Sequence, residues 1–269
     1  LGTLANFIAY ACMGIPAGHI LKRRGYKFTS LAAVTVGLIG VGIQFASGYV
    51  ESFGVYVLGA FVAGFSMTML NIVVNPMLNT LGGGGNKGNQ LIQLGGSCNS
   101  VGGTIAPILL GYLIGGQASE ATVADAAPAL IIAMAIFALA FVIIAMTKIP
   151  EPHMETAEEK AARLSGKQVK DQYSPMSFRH FVLGAIAIFI YVGVEVGIPN
   201  VLQKWLNEVS TTAIAGTVAG TYWFLMLIGR LAGAALGAKV SAKSMLSVAS
   251  TVGLCVVLGA IFLNPATTV

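Results

Sequence analysis

The chain contains 269 residues, of which 56% are hydrophobic and only 9% are charged. Soluble domains carry about 25% charged residues, so a chain of this size with so few charges could not cover a water-exposed surface. The composition therefore excludes an ordinary soluble enzyme and indicates a membrane protein. The 34 glycines fit this class, because small residues let membrane helices pack closely.

Long apolar runs predict transmembrane helices along the whole chain. A bilayer core of about 30 Å needs about 20 mostly apolar residues per helix. These runs lack the alternating pattern of outer-membrane barrel strands, so the predicted fold class is an all-α membrane protein. In chain order the eight predicted segments are residues 1–21, 29–47, 54–80, 90–115, 128–147, 181–202, 213–236 and 244–263.

The basic residues lie almost entirely on one side of these segments. Loops one, three, five and seven hold thirteen of the fifteen lysines and arginines, whereas the loops on the other side hold only Lys204. The positive-inside rule places the first group of loops in the cytoplasm. The net charge of +5 is thus a topology signal, and no nucleic-acid partner is expected.

A charged stretch divides the chain. Residues 149–180 hold much of its charge and predict a cytoplasmic linker between an N-terminal half bundle, residues 1–148, and a C-terminal half bundle, residues 181–269. A repeat supports this division, because residues 14–31 and 229–246 both run from a small-residue helix end through a basic, glycine-containing turn into a new apolar helix. Internal repeats of helix groups are typical of secondary transporters.

The first cytoplasmic loop carries a recognisable motif. Its sequence GHILKRRGYK resembles the loop motif between the second and third helices of the major facilitator superfamily. Gly18, Arg23, Gly25 and Lys27 match the motif, whereas Lys22 replaces its usual acidic residue, as we expect of the fucose:proton symporter branch. The stretches NIVVNPMLNTLG, GNQLIQLGGSCNSVGG and YVGVEVGIPNVL resemble helices four, five and seven of that branch.

The resemblance covers essentially the whole chain and implies a major facilitator-type helical bundle. When the motifs are aligned with those of the family, the sequence begins in helix two and ends after helix nine. We therefore expect a fragment with about eight of twelve helices. The resemblance also implies sugar uptake driven by protons, or by sodium in some relatives. It further implies a cytoplasmic conformational gate, for which simple positive-inside signals are the alternative. The gate residues are Gly18, Arg23, Arg24, Gly25, Lys27 and Arg230.

Glu195 is the only acidic residue well inside a predicted membrane helix. A charged group at this depth is costly unless it faces a polar interior, so Glu195 is the candidate for proton coupling and for substrate binding. Tyr191 lies four residues earlier on the same helix face and could bond Glu195 or a sugar hydroxyl. Pro199 removes a backbone donor and is expected to bend the helix. A structural carboxylate and a merely tolerated kink are the alternatives.

Four amide side chains are candidates for binding sugar hydroxyls, because an amide both donates and accepts hydrogen bonds. Asn71 and Asn75 share one helix face, and Gln93 and Asn99 lie in the next segment. The resemblance places a symporter glutamate at Asn71 and a sugar-site asparagine at Asn99. Since Asn71 cannot titrate, the proton-linked role is either lost or moved, and Glu195 is the candidate for the move. Amides that hold helices together are the alternative.

Two aromatic residues and three histidines complete the candidates. Tyr222 and Trp223 lie near the middle of the seventh segment, where they could stack on a sugar ring or simply pack between helices. The histidines lie at cytoplasmic loops without the spacing of a metal site, so we expect neither a metal nor a cofactor. The sequence shows no nucleophile and base in a catalytic arrangement, so we do not expect an enzyme.

These features predict a secondary active transporter that works by alternating access. Its expected substrate is a hexose or deoxyhexose such as fucose, glucose or galactose, taken up with a cation, most simply a proton. A major facilitator transporter of another small solute, or a channel or membrane scaffold, is the alternative. We expect a monomeric, multi-pass protein of a bacterial inner membrane, with the lipid bilayer as its remaining partner.

Overall fold

The computed structural model describes residues 2–114, 125–151 and 175–262, and four single positions between the last two ranges. Within these residues the secondary structure is entirely helical, apart from turns and connecting segments. A short 3₁₀ turn at Pro175–Ser177 precedes the fifth α-helix. The helices are α1 (Gly2–Val50), α2 (Phe53–Leu81), α3 (Gly85–Ile114), α4 (Ala127–Met146), α5 (Arg179–Val209), α6 (Thr212–Gly237) and α7 (Ala242–Phe262).

Seven helices of the described chain are long and apolar enough to cross a membrane. The first has 49 residues, which at a rise of 1.5 Å per residue would extend about 74 Å, more than twice the thickness of a bilayer core. Gly25 interrupts this helix with φ 80° and ψ 178°, between the first two predicted segments. The first two predicted segments are therefore two helical stretches on either side of Gly25, and α1 contains both of them.

The exposed surfaces of the helices are strongly apolar. α4 has a mean hydropathy of 3.0, and none of its twenty residues is buried within the described structure. A helix that is hydrophobic all round belongs in hydrocarbon or in a protein core rather than in water. Large exposed side chains such as Ile136, Leu139 and Phe141 are therefore suited to contact with lipid or with further membrane helices.

Contacts between helices divide the chain into two compact units. The first consists of Leu1–Val74 and Gly103–Tyr222. Its core includes Ala17 and Ala33 of α1 and Met69 of α2, all of which are buried. Small core residues bring these two helices close together, which is how membrane helices gain packing energy where the hydrophobic effect between them is weak.

Within the first unit, α3 and α6 also approach each other through small residues. Thr212 Oγ1 donates a hydrogen bond to the Gly111 carbonyl at 3.2 Å. A Cβ atom on Gly220 would lie 2.8 Å from the carbonyl oxygen of Thr104, closer than real Cβ contacts. Gly216 and Gly220 are one helical turn apart, so they form the small-xxx-small face that lets two backbones pack closely.

The second unit consists of Asn75–Gly102 and Trp223–Val269. The turn from α2 into α3 places Gly83, Gly84 and Gly85 at positive φ, a backbone conformation that glycine adopts without a steric penalty. Together with Gly82 they form a tight connection between two membrane helices.

The predicted linker, residues 149–180, falls largely outside the described residues. The structure describes its beginning, residues 149–151, and its end from residue 175 onward. The division of the chain into two half bundles on either side of this linker stays a prediction.

Candidate functional site

A proline in α5 creates a local opening in a membrane helix. Pro199 has no amide hydrogen, so the carbonyl of Glu195, four residues earlier, loses its helical donor. The hydroxyl of Tyr222 on α6 lies 3.1 Å from that carbonyl oxygen and donates to it. The side-chain amide of Asn200 donates to the next carbonyl, that of Val196, at 2.7 Å. The tyrosine hydroxyl thus takes the place of the missing amide at Glu195, and the Asn200 side chain adds a donor at the neighbouring carbonyl.

Glu195 itself lies half-buried at this break. Tyr191, one turn earlier, is 53% exposed, whereas Pro199 is buried. The structure therefore brings two of the sequence candidates together, Tyr222 and Glu195, through the main chain of the glutamate. A carboxyl group within a membrane helix is costly to retain, so Glu195 stays a functional candidate.

An apolar groove runs along another face of α5. It has a volume of about 560 Å³. Two residues from each of three successive turns line it, followed by Trp205: Gly193, Val194, Gly197, Ile198, Val201, Leu202 and Trp205. A sugar offers many hydroxyl groups and would find few polar partners here. The groove is suited to hydrocarbon instead, and Trp205 fits the interfacial position expected of an aromatic belt residue.

The amide candidates lie in α2 and α3. Asn71 is half-buried, and its Nδ2 donates to the carbonyl of Met67 in its own helix at 3.0 Å. Asn75 and Asn99 are exposed. Gln93 is half-buried, and its side-chain amide would lie 3.5 Å from a Cβ atom placed on Gly233 of α6. Their grouping around a sugar stays a prediction, as does the stacking role of Tyr222 and of the half-buried Trp223.

Arg230 of α6 is anchored on α3. Its Nη1 donates to the Gly96 carbonyl at 2.8 Å and to the Ser100 hydroxyl at 2.9 Å. Ser100 is fully buried. A Cβ on Gly96 would lie 3.3 Å from the Arg230 Cδ, so a glycine here leaves room for the arginine stem. Hydrogen bonds from a cation are about twice as strong as neutral ones, which makes this a firm interhelical contact.

The loop motif in α1 is held by a carboxylate from the start of the linker. The Glu151 carboxylate accepts hydrogen bonds from the backbone amides of Tyr26 and Lys27, the second at 2.9 Å. The Lys27 Nζ donates to the Ala145 carbonyl at the end of α4, at 2.7 Å. The amides that follow Gly25 begin a new helical stretch and lack helical acceptors. An anion at such a helix start is favourable.

The other motif residues are more open. A Cβ on Gly18 would meet nothing within 4 Å, and Arg23 is exposed. The Arg24 guanidinium carbon lies 5.2 Å from the centre of the Phe28 ring, within the range of a cation–π contact. These residues remain predicted members of a conformational gate.

Two contributors were missed by the sequence analysis, namely Glu151 and Ser100. One signal could have indicated an anion at this turn, although not that Glu151 supplies it. Lys22 occupies the position where the motif usually has an acidic residue, so the motif itself supplies no anion there. An anion is nevertheless favourable where a helix starts after a glycine turn. Ser100 offers no comparable signal, because a buried serine in a glycine-rich membrane helix fits simple packing equally well.

No metal centre is formed among the described residues, since no three His, Cys, Asp or Glu side chains converge there. The three cysteines are unpaired thiols, and all three are exposed. The expectation of a protein without metal or cofactor stays a prediction.

Comparison with known sequences identifies clear relatives. The sequence profile of the Major Facilitator Superfamily matches residues 1–269. A glucose/galactose transporter of Brucella abortus is 32% identical over 238 residues, which cover 85% of this chain and 55% of that protein. A putative glucose/galactose transporter of Helicobacter pylori is 28% identical over 255 residues, which cover 90% and 59%. The chain thus spans a little over half the length of these relatives.

Comparison with solved structures supports the fold. A crystal structure of an E. coli fucose:proton symporter matches with a TM-score of 0.69 and 20% sequence identity, covering 92% of this chain and 65% of that one. At this level of identity the likeness shows the fold alone. The all-α membrane fold class expected from the sequence is confirmed.

Proposed function

The chain belongs to the major facilitator superfamily, and on this premise we propose that it takes up a sugar together with a cation. The relatives that it matches are transporters rather than enzymes. The observation that carries the proposal is the likeness to two glucose/galactose transporters over 85% and 90% of this chain. The proposed substrate is a hexose or deoxyhexose such as glucose, galactose or fucose.

Glu195 is the proposed coupling group. It is half-buried in a membrane helix, and its own carbonyl is opened by Pro199 and bound by Tyr222. A carboxyl group can take up a proton from one side of the membrane and release it on the other, which an amide such as Asn71 cannot. A proton is therefore the proposed coupling ion, and sodium is the alternative.

The proposed mechanism is alternating access between two half bundles, residues 1–148 and 181–269. The sugar is bound by the amides and aromatic residues already described, together with Glu195. Arg230 and the loop motif secure the cytoplasmic side while the site is open to the outside. This assignment is supported by the cationic contact of Arg230 with Gly96 and Ser100.

The proposed setting is a bacterial inner membrane, in which the protein works as a monomer. The apolar, exposed faces of its helices and the bacterial origin of its relatives support this location. The positive-inside pattern supports a cytoplasmic position for the linker.

Reconstitution in liposomes tests the proposal. The protein, made from its complete coding sequence, is placed in vesicles that contain a pH-sensitive dye, and glucose, galactose or fucose is added outside. Proton-coupled uptake predicts acidification of the lumen that requires both sugar and protein. Sugar uptake that responds to a sodium gradient alone would identify sodium, rather than the proton, as the coupling ion. Absence of sugar entry under either gradient would contradict the proposed function, and protein-free vesicles are the control.

A further inference from the structure

A proline inside a membrane helix leaves one carbonyl without its regular donor. In α5 this carbonyl belongs to Glu195, because Pro199 follows it by four residues and has no amide hydrogen. In water such a carbonyl would be solvated. In a membrane it must find a partner within the protein, since an unpaired polar group there is costly.

The partner is the hydroxyl of Tyr222. It lies 3.1 Å from the Glu195 carbonyl oxygen and belongs to the next helix, 27 residues further along the chain. Pro199 is buried and Tyr222 is half-buried, so the contact lies inside the packed part of the first unit. Asn200 supplies a second side-chain donor at the neighbouring Val196 carbonyl.

We propose that Tyr222 is a positioning residue, whose hydroxyl replaces the amide hydrogen that Pro199 lacks and so fixes the main chain of α5 at Glu195. The residue that provides the carbonyl is also the residue whose carboxyl group is the proposed proton carrier. The role of Tyr222 in transport therefore rests on the proposed function, whereas its role in closing the proline break does not. Its hydroxyl serves the protein backbone rather than a sugar.

A double-mutant cycle between Tyr222 and Pro199 tests this directly. Tyr222→Phe removes the hydroxyl and keeps the ring, so stacking and packing are retained. Pro199→Ala restores an amide hydrogen four residues after Glu195, and this makes the tyrosine hydroxyl redundant. The four proteins, wild type, each single variant and the double variant, are compared by thermal unfolding in detergent and by the kinetics of sugar uptake in liposomes.

We expect Tyr222→Phe to lower the unfolding midpoint when residue 199 is proline and to leave it unchanged when residue 199 is alanine. In uptake we expect Tyr222→Phe to lower Vmax about three- to tenfold, with the sugar KM within about twofold of the wild type. This loss disappears in the Pro199→Ala background. Equal effects of Tyr222→Phe in both backgrounds would overturn the proposal, and a raised KM with unchanged Vmax would indicate a sugar contact instead.

Controls keep the two claims separable. Tyr112→Phe, at an exposed tyrosine of α3 in the same unit, is expected to change neither measurement. If neither the wild type nor any variant transports sugar, the proposed function is wrong. The double-mutant cycle measured by thermal unfolding still decides the role of Tyr222. If Pro199→Ala does not fold, the test uses a second variant, in which Tyr222 is replaced by fluorotyrosine. A more acidic hydroxyl should then raise the unfolding midpoint, and no response would overturn the proposal.

Discussion

Tyr222 and Arg230 of α6 each donate a hydrogen bond to a main-chain carbonyl of another helix, but they do so for different reasons. In the first unit, the neutral hydroxyl of Tyr222 binds the Glu195 carbonyl that Pro199 has deprived of its helical donor. In the second unit, the cationic Arg230 binds the carbonyl of Gly96, where the helix is not broken by proline. The first contact repairs a break, whereas the second adds a bond to a stretch of α3 that lies well before its own proline, Pro107.

This difference separates obligatory contacts from added ones. An opened carbonyl in a membrane needs a donor in every conformation of the protein, so the tyrosine contact is suited to a permanent hinge. A carbonyl of an unbroken helix keeps its own helical partner, so the arginine contact can form and break without leaving that carbonyl unpaired. Arg230 is therefore suited to a gate, and Tyr222 to a fixed point beside Glu195.

Replacement of Arg230 is expected to have the largest effect. Arg230→Met removes the cation while it keeps an apolar stem of similar shape. Because hydrogen bonds that involve a charged group contribute about 1.5–3 kcal/mol, we expect a loss of that order in the stability of the purified protein in detergent. Arg230→Lys, which keeps the charge but not the planar fork, should lose less. If the methionine variant were as stable as the wild type, the Arg230 contact would not stabilise the protein, and the proposed contrast with Tyr222 would be wrong.

The loop motif offers a reference in which the backbone is the donor. Gly25 has positive φ, and a Cβ there would overlap the Glu151 carboxylate. We expect Gly25→Ala to cost about 1–3 kcal/mol in stability, because positive φ with extended ψ is a backbone region occupied almost only by glycine. Gly18→Ala is the matched control, since a Cβ there meets nothing within 4 Å. Equal midpoints of thermal unfolding for the two variants would contradict the loop geometry.

Replacement of Ser100 is expected to have the smallest effect on stability, and a neighbouring serine provides a matched control. Ser100→Ala removes one acceptor of the Arg230 Nη1 and leaves the Gly96 carbonyl in place. The expected loss is about 0.5–1.5 kcal/mol, as for an ordinary hydrogen bond. Ser97→Ala is the control, because the Ser97 hydroxyl bonds to its own helix at Gln93 and does not contact the arginine. If both serines cost the same, the contact between Ser100 and Arg230 contributes nothing to stability.

The sequence predicted the elements well and the pairings between them poorly. Hydropathy and glycine placement were enough for the helices and for a turn at Gly25, because these depend on nearby residues. The open carbonyl of Glu195 also follows from the sequence, since Pro199 must leave it without a helical donor. That Tyr222 fills this position does not follow, because the pairing depends on how α5 and α6 pack.

Glu151 shows the same limit over a longer distance. It contacts the backbone of Tyr26, 125 residues earlier in the chain. No local pattern relates a carboxylate after α4 to a turn within α1, and charge in a linker usually indicates nothing more than a solvated surface. Contacts of this kind require the tertiary structure.

The central claim is that Glu195 couples sugar uptake to a proton gradient, and one measurement tests it most directly. Liposomes that contain the complete protein, wild type or Glu195→Gln, are given an inward proton gradient and a labelled sugar, and the ratio of internal to external sugar is followed. We predict accumulation above the external concentration for the wild type, and equilibration without accumulation for the glutamine variant. Accumulation of the sugar against its gradient by Glu195→Gln would contradict the account.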